Sequence, residues 1–138
     1  MHVLVNSWFA LLLSIGAAQQ PAETITANQV CNHGSGFVAP CRKIRGRLRV
    51  YSDNVPLRIW PVGTSRLLGV QSDQSSFYLS VTCHLPEALS HIIGSDVDIY
   101  ADFIVRPLTN ASTESMERVC VASMSAVRVK HRSVRSGS

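Results

Sequence analysis

The fold is decided by residues 41–70, which read CRKIRGRLRVYSDNVPLRIWPVGTSRLLGV. From Lys43 to Tyr51, basic or aromatic residues alternate with apolar residues or glycine. Because successive side chains of a strand point to opposite faces, this alternation predicts a half-buried strand with a cationic outer face. Gly46 falls on the inner face, where a glycine often marks a bulge or a sharply coiled strand.

Two more strands are predicted in the same stretch. Turn residues at 52–54 precede a second strand over 57–62. Pro61 cannot donate a hydrogen bond to a neighbouring strand, so it belongs on an edge or at the strand's end. The pair Gly63-Thr64 fits a two-residue hairpin turn, which leads into a third strand over 66–70.

The outer face of this unit collects four arginines and two aromatic residues. Cations interleaved with aromatic rings can hold an anionic polymer. In the alternative interpretation, the tryptophan belongs to the core and the arginines are a solvated face paired with acids. The candidate ligand-binding residues are Arg45, Arg47, Arg49, Tyr51, Arg58 and Trp60.

Downstream, the apolar period changes. Apolar residues over 85–93 recur at helical spacing, with Pro86 suited to the first helical position and Gly94 to the position just past the end. Residues 97–105 alternate again and predict a strand, and residues 116–130 predict a last long strand, broken near 123–125.

The strand over 97–105 carries acids on its outer face. Asp96, Asp98 and Asp102 are expected counterparts of the arginines, because opposite charges pair across strands. Calcium is the functional alternative for these acids, but the sequence contains no D-x-D-x-D-G loop.

The predicted order is strand, strand, strand, helix, strand, strand. This is the order of the OB-fold, a five-stranded Greek-key barrel. We therefore expect a mainly β protein: an OB-fold-like five-stranded barrel with one short helix between strands 3 and 4. The segment LRIWPVGTSRLLGV also resembles small uncharacterised exported bacterial proteins. That resemblance covers residues 45–70, extends to 102–108 and 119–121, and implies no activity or functional residues.

Residues 1–18 predict a signal peptide, since an apolar run ends in the small residues Gly16-Ala17-Ala18. The run is too short for a membrane span, which needs about 20 apolar residues. We expect a secreted or periplasmic protein with no transmembrane anchor after signal removal. Its parts would be an N-terminal lead-in segment at 19–41, the barrel domain at 42–130 and a basic disordered tail at 131–138.

Four cysteines lie after the predicted signal, and export favours their oxidation. They allow three pairings, between which the sequence does not choose. If the thiols were reduced, the Cys31-x-His33 and Cys83-His84 motifs could supply metal ligands. We expect disulfides instead, and neither a metal nor a cofactor. The disulfide candidates are Cys31, Cys41, Cys83 and Cys120.

The net charge of +4 is not spread evenly. Residues 22–127 hold equal numbers of basic and acidic residues, and the excess is at the C-terminal end, in Arg128, Lys130, Arg132 and Arg135. A domain that binds nucleic acid normally carries its excess charge on the folded body, so nucleic acid is not an expected partner. The tail is either a solvated end or a segment that is weakly attracted to anionic polymers.

Catalytic motifs are missing from the sequence. No G-x-S-x-G elbow is present, no phosphate-binding glycine loop occurs, and nothing marks Glu87 and Asp102 as a carboxylate pair. We therefore expect no enzyme, but an exported binding module for an anionic polysaccharide or other envelope polymer. The alternatives are a structural or protein-interaction envelope protein, for instance an inhibitor, and, third, a hydrolase.

Overall fold

The structure, a computed structural model, describes Gly16 and residues 23–53, 55–72, 81–112 and 115–133. Apart from Gly16, the predicted signal peptide lies outside these residues. The described part is mainly β, which confirms the predicted class. Its strands are β1 (Glu23–Ile25), β2 (Arg42–Val50), β3 (Leu57–Pro61), β4 (Leu68–Val70), β5 (Val81–Cys83), β6 (Val97–Pro107) and β7 (Arg118–His131). A 3-10 turn spans Ala27–Gln29, and one helix, α1, spans Glu87–Ser90.

Five strands close into a ring in the order β2-β3-β4-β7-β6, and β6 pairs back onto β2. Neighbours in the ring are antiparallel, except that β4 and β7 run parallel. The remaining strands, β1 and β5, form a separate parallel pair. The three strands predicted within residues 41–70 correspond to β2, β3 and β4.

The core fills the inside of the ring, as the period-two pattern of β2 requires. Leu48 of β2 lies opposite Ile59 of β3 and Ile99 of β6, and all three side chains are buried. Phe103 is the largest fully buried side chain among the described residues. Burial of each such large apolar side chain contributes about 1.5–3 kcal/mol.

Gly46 has a different role from the bulge that its position suggested. The pairing of β2 runs without interruption through Gly46, which lies opposite Pro61 and Ala101. A Cβ atom here would lie 2.7 Å from Cγ2 of Ile59 and 2.9 Å from the carbonyl oxygen of Trp60. The glycine is therefore needed because β3 approaches β2 too closely for any side chain.

The bulges occur between β6 and β7 instead. The register shifts between the pairs at Tyr100 and Asp102, and again between those at Ile104 and Val105. Ala126 adopts a φ of 51° at the first of these shifts. β7 is therefore one continuous strand, and the predicted break near 123–125 is wrong because bulges absorb the extra residues without ending the pairing.

The helix is shorter than the predicted 85–93. α1 begins at Glu87 with Pro86 as its N-cap, and His91 is its C-cap. Leu89 is buried in the core, and Ile92 and Ile93 pack against it. The apolar spacing therefore identified most of the buried side of this segment, but Ala88 at one of its positions is exposed, and only the first turn is α-helical.

Two disulfides resolve the three possible pairings. Cys31 joins Cys41, with 5.5 Å between the Cα atoms, and Cys83 joins Cys120, with 5.8 Å. The first closes the lead-in segment just before β2, and the second ties β5 to β7. All four thiols are used, so neither cysteine–histidine motif can offer a thiolate to a metal.

The lead-in segment is held on the ring by Arg106 of β6. Its guanidinium donates hydrogen bonds to the carbonyl oxygens of Ala39 (3.0 Å), Val30 (2.9 Å) and His33 (2.7 Å). It also lies over the Phe37 ring, 4.3 Å from its centroid. Residues 23–41 therefore pack as part of the folded body.

Candidate functional site

Four side chains from four strands form one line across the outside of the ring. Trp60 of β3 lies opposite Arg47 of β2, Arg47 lies opposite Tyr100 of β6, and Tyr100 lies opposite Arg128 of β7. We call this set the cation–aromatic row. The four residues are aligned because each lies directly opposite the next in the strand pairing, and aromatic rings alternate with guanidinium groups along the row.

The members of the row contact each other in pairs. The guanidinium carbon of Arg47 is 5.3 Å from the Trp60 ring centroid, and that of Arg128 is 5.2 Å from the Tyr100 centroid. Trp60 also donates a hydrogen bond from Nε1 to the carbonyl oxygen of Thr64 at 2.7 Å, which fixes the indole. Trp60 is half-buried on the outer face and does not belong to the core of the ring.

Two arginines on the lines of residues beside the row are ion-paired. Arg45 contacts Asp102 at 3.1 Å, and Arg49 contacts Asp98 at 2.7 Å. These acids lie directly opposite their arginines in the β2–β6 register. The expectation that the acidic strand neighbours the basic one is therefore confirmed for these two pairs.

Asp98 is the most strongly held of these acids. It is buried, and Arg49 donates to it from Nε and Nη2 at 2.7 Å each. Arg132 adds an ion pair at 3.3 Å. The hydrogen bonds from Arg49 are the largest cause that lowers the pKa of Asp98; burial opposes them, and the attraction of Arg49, Arg132 and Arg47 lowers the pKa further.

The two arginines of the row have no such partner. No carboxylate in the described ranges forms an ion pair with Arg47 or Arg128. The Nε atom of Arg47 is buried and makes no hydrogen bond with the described residues. The row therefore keeps two arginines without an ion-pair partner among the described residues, whereas Arg45 and Arg49 beside it are paired.

The remaining predicted site residues lie at the β2–β3 turn. Arg58 contacts Asp53 at 2.5 Å, and its guanidinium carbon is 4.5 Å from the Tyr51 ring centroid. Arg58 also lies opposite Arg49 across the two strands.

The structure thus brings the six predicted residues to one side of the β2–β3 unit. However, Arg45, Arg49 and Arg58 are engaged with acids, so Arg47 alone of the four predicted arginines has no ion-pair partner among the described residues.

Sequence reasoning missed two members of the row. Tyr100 lies within the predicted strand over 97–105 but is not among the candidate ligand-binding residues, and Arg128 appears only as part of the basic excess near the C-terminus. The signal that identifies them is the pairing register, which no single strand displays. A double bulge between β6 and β7 sets that register.

The structure gives less support to a metal site or to a pair of hydrolytic carboxylates. Within the part of the chain that the structure describes, no group of three or more His, Cys, Asp and Glu residues could hold a metal ion. Glu87 lies 3.5 Å from His91 on α1, whereas Asp102 is paired with Arg45. The two carboxylates considered for a hydrolase are therefore engaged in separate contacts.

Comparisons with protein-family models, with curated proteins and with solved structures find no match for this chain. Among the described residues, no helix has the length and apolar character needed to cross a membrane. What the site does is therefore inferred from its own geometry.

Proposed function

We propose that the protein is an exported, non-catalytic binding module whose cation–aromatic row holds an anionic glycan. The observation that carries this proposal is the contrast between neighbouring lines of side chains. Arg47 and Arg128 have no carboxylate partner among the described residues, whereas Arg45 and Arg49 on the lines beside the row are ion-paired. Two arginines without an ion-pair partner among the described residues thus alternate with aromatic rings along one path across the strands.

The chemistry of the row suits an acidic sugar chain. Arginine presents a planar set of donors that matches a carboxylate or a sulfate. The indole and phenol rings offer flat apolar surfaces on which sugar rings can stack. Strands lie about 4.8 Å apart, so a row over four strands is about 14 Å long. An extended ligand that crosses the strands would contact all four side chains.

We infer that the ring is a barrel of the OB type. The support is the ring order, the parallel β4–β7 pair and the position of α1 between the third and fourth strands of the ring. Domains of that type bind oligonucleotides and oligosaccharides on a strand face. The charge balance of residues 22–127 favours the saccharide.

Export is the part of the proposal that rests on the N-terminal sequence and the cysteines. The two disulfides support an oxidising compartment, such as the periplasm or the exterior. Mass spectrometry of the protein from its native host should find a mature chain that begins at Gln19. A chain that retains Met1 and reduced thiols would contradict export.

The contacts of Asp98, the buried carboxylate beside the row, disfavour its use as a general acid or base. A general acid or base works best with a pKa near the working pH. Asp98 has its pKa moved in the opposite direction, downwards, by Arg49. We expect a screen of glycoside, ester and peptide substrates to show no turnover.

The direct test is binding of heparin, with neutral dextran as the comparison polymer, over a range of salt concentrations. The oxidised protein should bind heparin, lose affinity as salt rises, and leave dextran unbound. In a plot of the logarithm of the binding constant against the logarithm of the salt concentration, Arg47→Gln should reduce the slope by about one, as expected for the loss of one contact between a cation and an anionic group. Trp60→Ala should weaken the free energy of heparin binding by about 1–3 kcal/mol, the size of a lost stacking contact.

Arg66→Gln is the matched control for Arg47→Gln. Arg66 is exposed in the β3–β4 loop, outside the row, so its removal changes the net charge equally. Heparin affinity should be nearly unchanged in this variant. Equal losses in both variants would mean that net charge alone drives binding, and the proposal would fail. Absent or salt-independent heparin binding would also reject it.

A further inference from the structure

Among the described residues, the second half of β7 has one edge without a neighbouring strand. β7 pairs with β6 as far as His131, but it pairs with β4 only at Arg118 and Val119. After Val119, the described residues place no strand on that side of β7. Residues 125–131 are all exposed. An edge of this kind presents unpaired N–H and C=O groups to a further strand.

The side chains along this edge alternate in character. Val129 lies opposite the buried Ile99, so it continues the apolar inner face of the sheet, and yet it is 40% exposed. Val127, two residues earlier, is 42% exposed. Arg128 and Lys130 point to the outer face. An incoming strand would therefore find apolar contacts on one face and positive charge on the other.

Lys130 is available to such a strand. Its opposite neighbour is Asp98, which is already bound by Arg49 and Arg132. No carboxylate among the described residues forms an ion pair with Lys130. An acid on a ligand strand would be the first to neutralise it.

The charge selects between two possible occupants of the edge. A second copy of the chain would bring Arg128 and Lys130 alongside the same residues of its partner, and like charges in directly opposed positions destabilise a sheet. A segment with acids at alternate positions would meet these cations with opposite charge. Its other side chains would lie beside the two valines.

We propose that residues 126–131, the β7 edge, bind an extended segment of another protein in which acidic and apolar residues alternate. The segment adds a strand to the sheet, so main-chain hydrogen bonds supply affinity and the alternating side chains supply specificity. This surface is distinct from the face that the glycan proposal uses, although Arg128 borders both. Lys130 and Val129 belong to the edge alone.

The test uses three fluorescent peptides and the oxidised full-length protein. One peptide alternates glutamate with valine, the second alternates lysine with valine, and the third is the acidic peptide with a proline at its centre. Fluorescence anisotropy should detect binding of the first peptide only, because proline lacks the N–H that a ladder needs. Hydrogen exchange should slow at amides within 126–131 when the first peptide binds.

Two matched pairs of variants locate the site. Lys130→Glu should weaken the acidic peptide about five- to tenfold and strengthen the basic one, by replacing an attractive cross-strand pair with a repulsive one. Lys43→Glu, an equal charge change on β2, should have little effect. Val129→Thr should weaken binding, whereas Val62→Thr, at an exposed valine of the β3–β4 loop, should not.

Several results would overturn the proposal. These are no binding of the acidic peptide, equal binding of the proline peptide, equal effects of Lys130→Glu and Lys43→Glu, or amide protection elsewhere in the chain. Self-association that protects the same amides would also overturn it, since the occupant would then be a second copy. Loss of heparin binding in Arg47→Gln, with peptide binding unchanged, would separate the two surfaces.

Discussion

Asp98 holds together three parts of the chain through one carboxylate. It belongs to β6, and its two partners are Arg49 of β2 and Arg132, which follows β7. The carboxylate is buried. Removing one member of a buried, hydrogen-bonded ion pair leaves the other charge without compensation, which is far more costly than losing an exposed pair.

Asp98→Asn should therefore lower the free energy of unfolding by about 2–3 kcal/mol, less than for a fully buried pair because Arg49 is partly exposed. Asp102→Asn is the control, since the Arg45–Asp102 pair is at the surface. Its loss should cost less than about 1 kcal/mol. Urea unfolding of both variants gives the comparison. Equal costs would show that the Asp98 contacts are no stronger than a surface pair.

The same carboxylate predicts how stability depends on pH. The pKa of Asp98 is below its ordinary value of 3.8, so the group binds protons less readily in the folded chain than in the unfolded chain. Its contribution is fully present above that ordinary value. It decreases as the pH falls below 3.8 and is gone below the folded pKa.

Unfolding free energies measured between neutral and strongly acidic pH should therefore fall steeply at the acid end. The curve of Asp98→Asn should be flatter there. Asp53 also has a lowered pKa, mainly through its hydrogen bond from Arg58, so an Asp53→Asn variant should be measured alongside. If Asp98→Asn kept the full steepness, acid sensitivity would have to come from other groups.

At the scale of the elements, the close contact between β2 and β3 depends on Gly46. Gly46→Ala should cost about 1–3 kcal/mol, the usual range for overpacking. The added methyl group meets the main chain at Trp60 as well as the side chain of Ile59. Gly34→Ala is the control, because nothing lies within 4 Å of its Cβ position. Thermal unfolding of the two variants should differ clearly, and a harmless Gly46→Ala would contradict this packing.

The sequence predicts strands well where one face is buried. β2 was predicted at 43–51 and spans 42–50, because its inner face packs on the core along its whole length. β1 and β5 were not recognised as a pair, since three residues carry no measurable period. The third strand is predicted over 66–70 but spans only Leu68–Val70. Its pairing with β3 begins at Leu68, and its pairing with β7 is confined to Gly69 and Val70.

The site was half predictable for a related reason. Arg47 and Trp60 share a hairpin, so their proximity follows from the turn between two adjacent strands. Tyr100 and Arg128 reach the row from distant parts of the sequence. Their alignment requires both the β2–β6 register and the bulge at Ala126. Neither is encoded in a local pattern of apolar residues.

At the scale of the whole molecule, the disulfides should differ in their contribution to stability. The Cys83–Cys120 bond spans 37 residues and the Cys31–Cys41 bond spans 10. Restricting the unfolded chain predicts a contribution of about 4 kcal/mol for the longer loop and about 3 kcal/mol for the shorter. Double alanine variants of each bond, compared by urea unfolding, test this order. A larger loss for the Cys31–Cys41 variant would reverse it.

The contacts of Arg106 bear on where the folding unit begins. One guanidinium gathers carbonyl groups from three places in residues 30–39. A lysine in its place has a single ammonium and could not reach all of them. The stretch ahead of the ring should thus resist proteases as long as the ring is intact, and both should melt in a single transition. A shortened chain that starts at β2 would leave Arg106 with its hydrogen bonds unmade, and would lose stability as well as length.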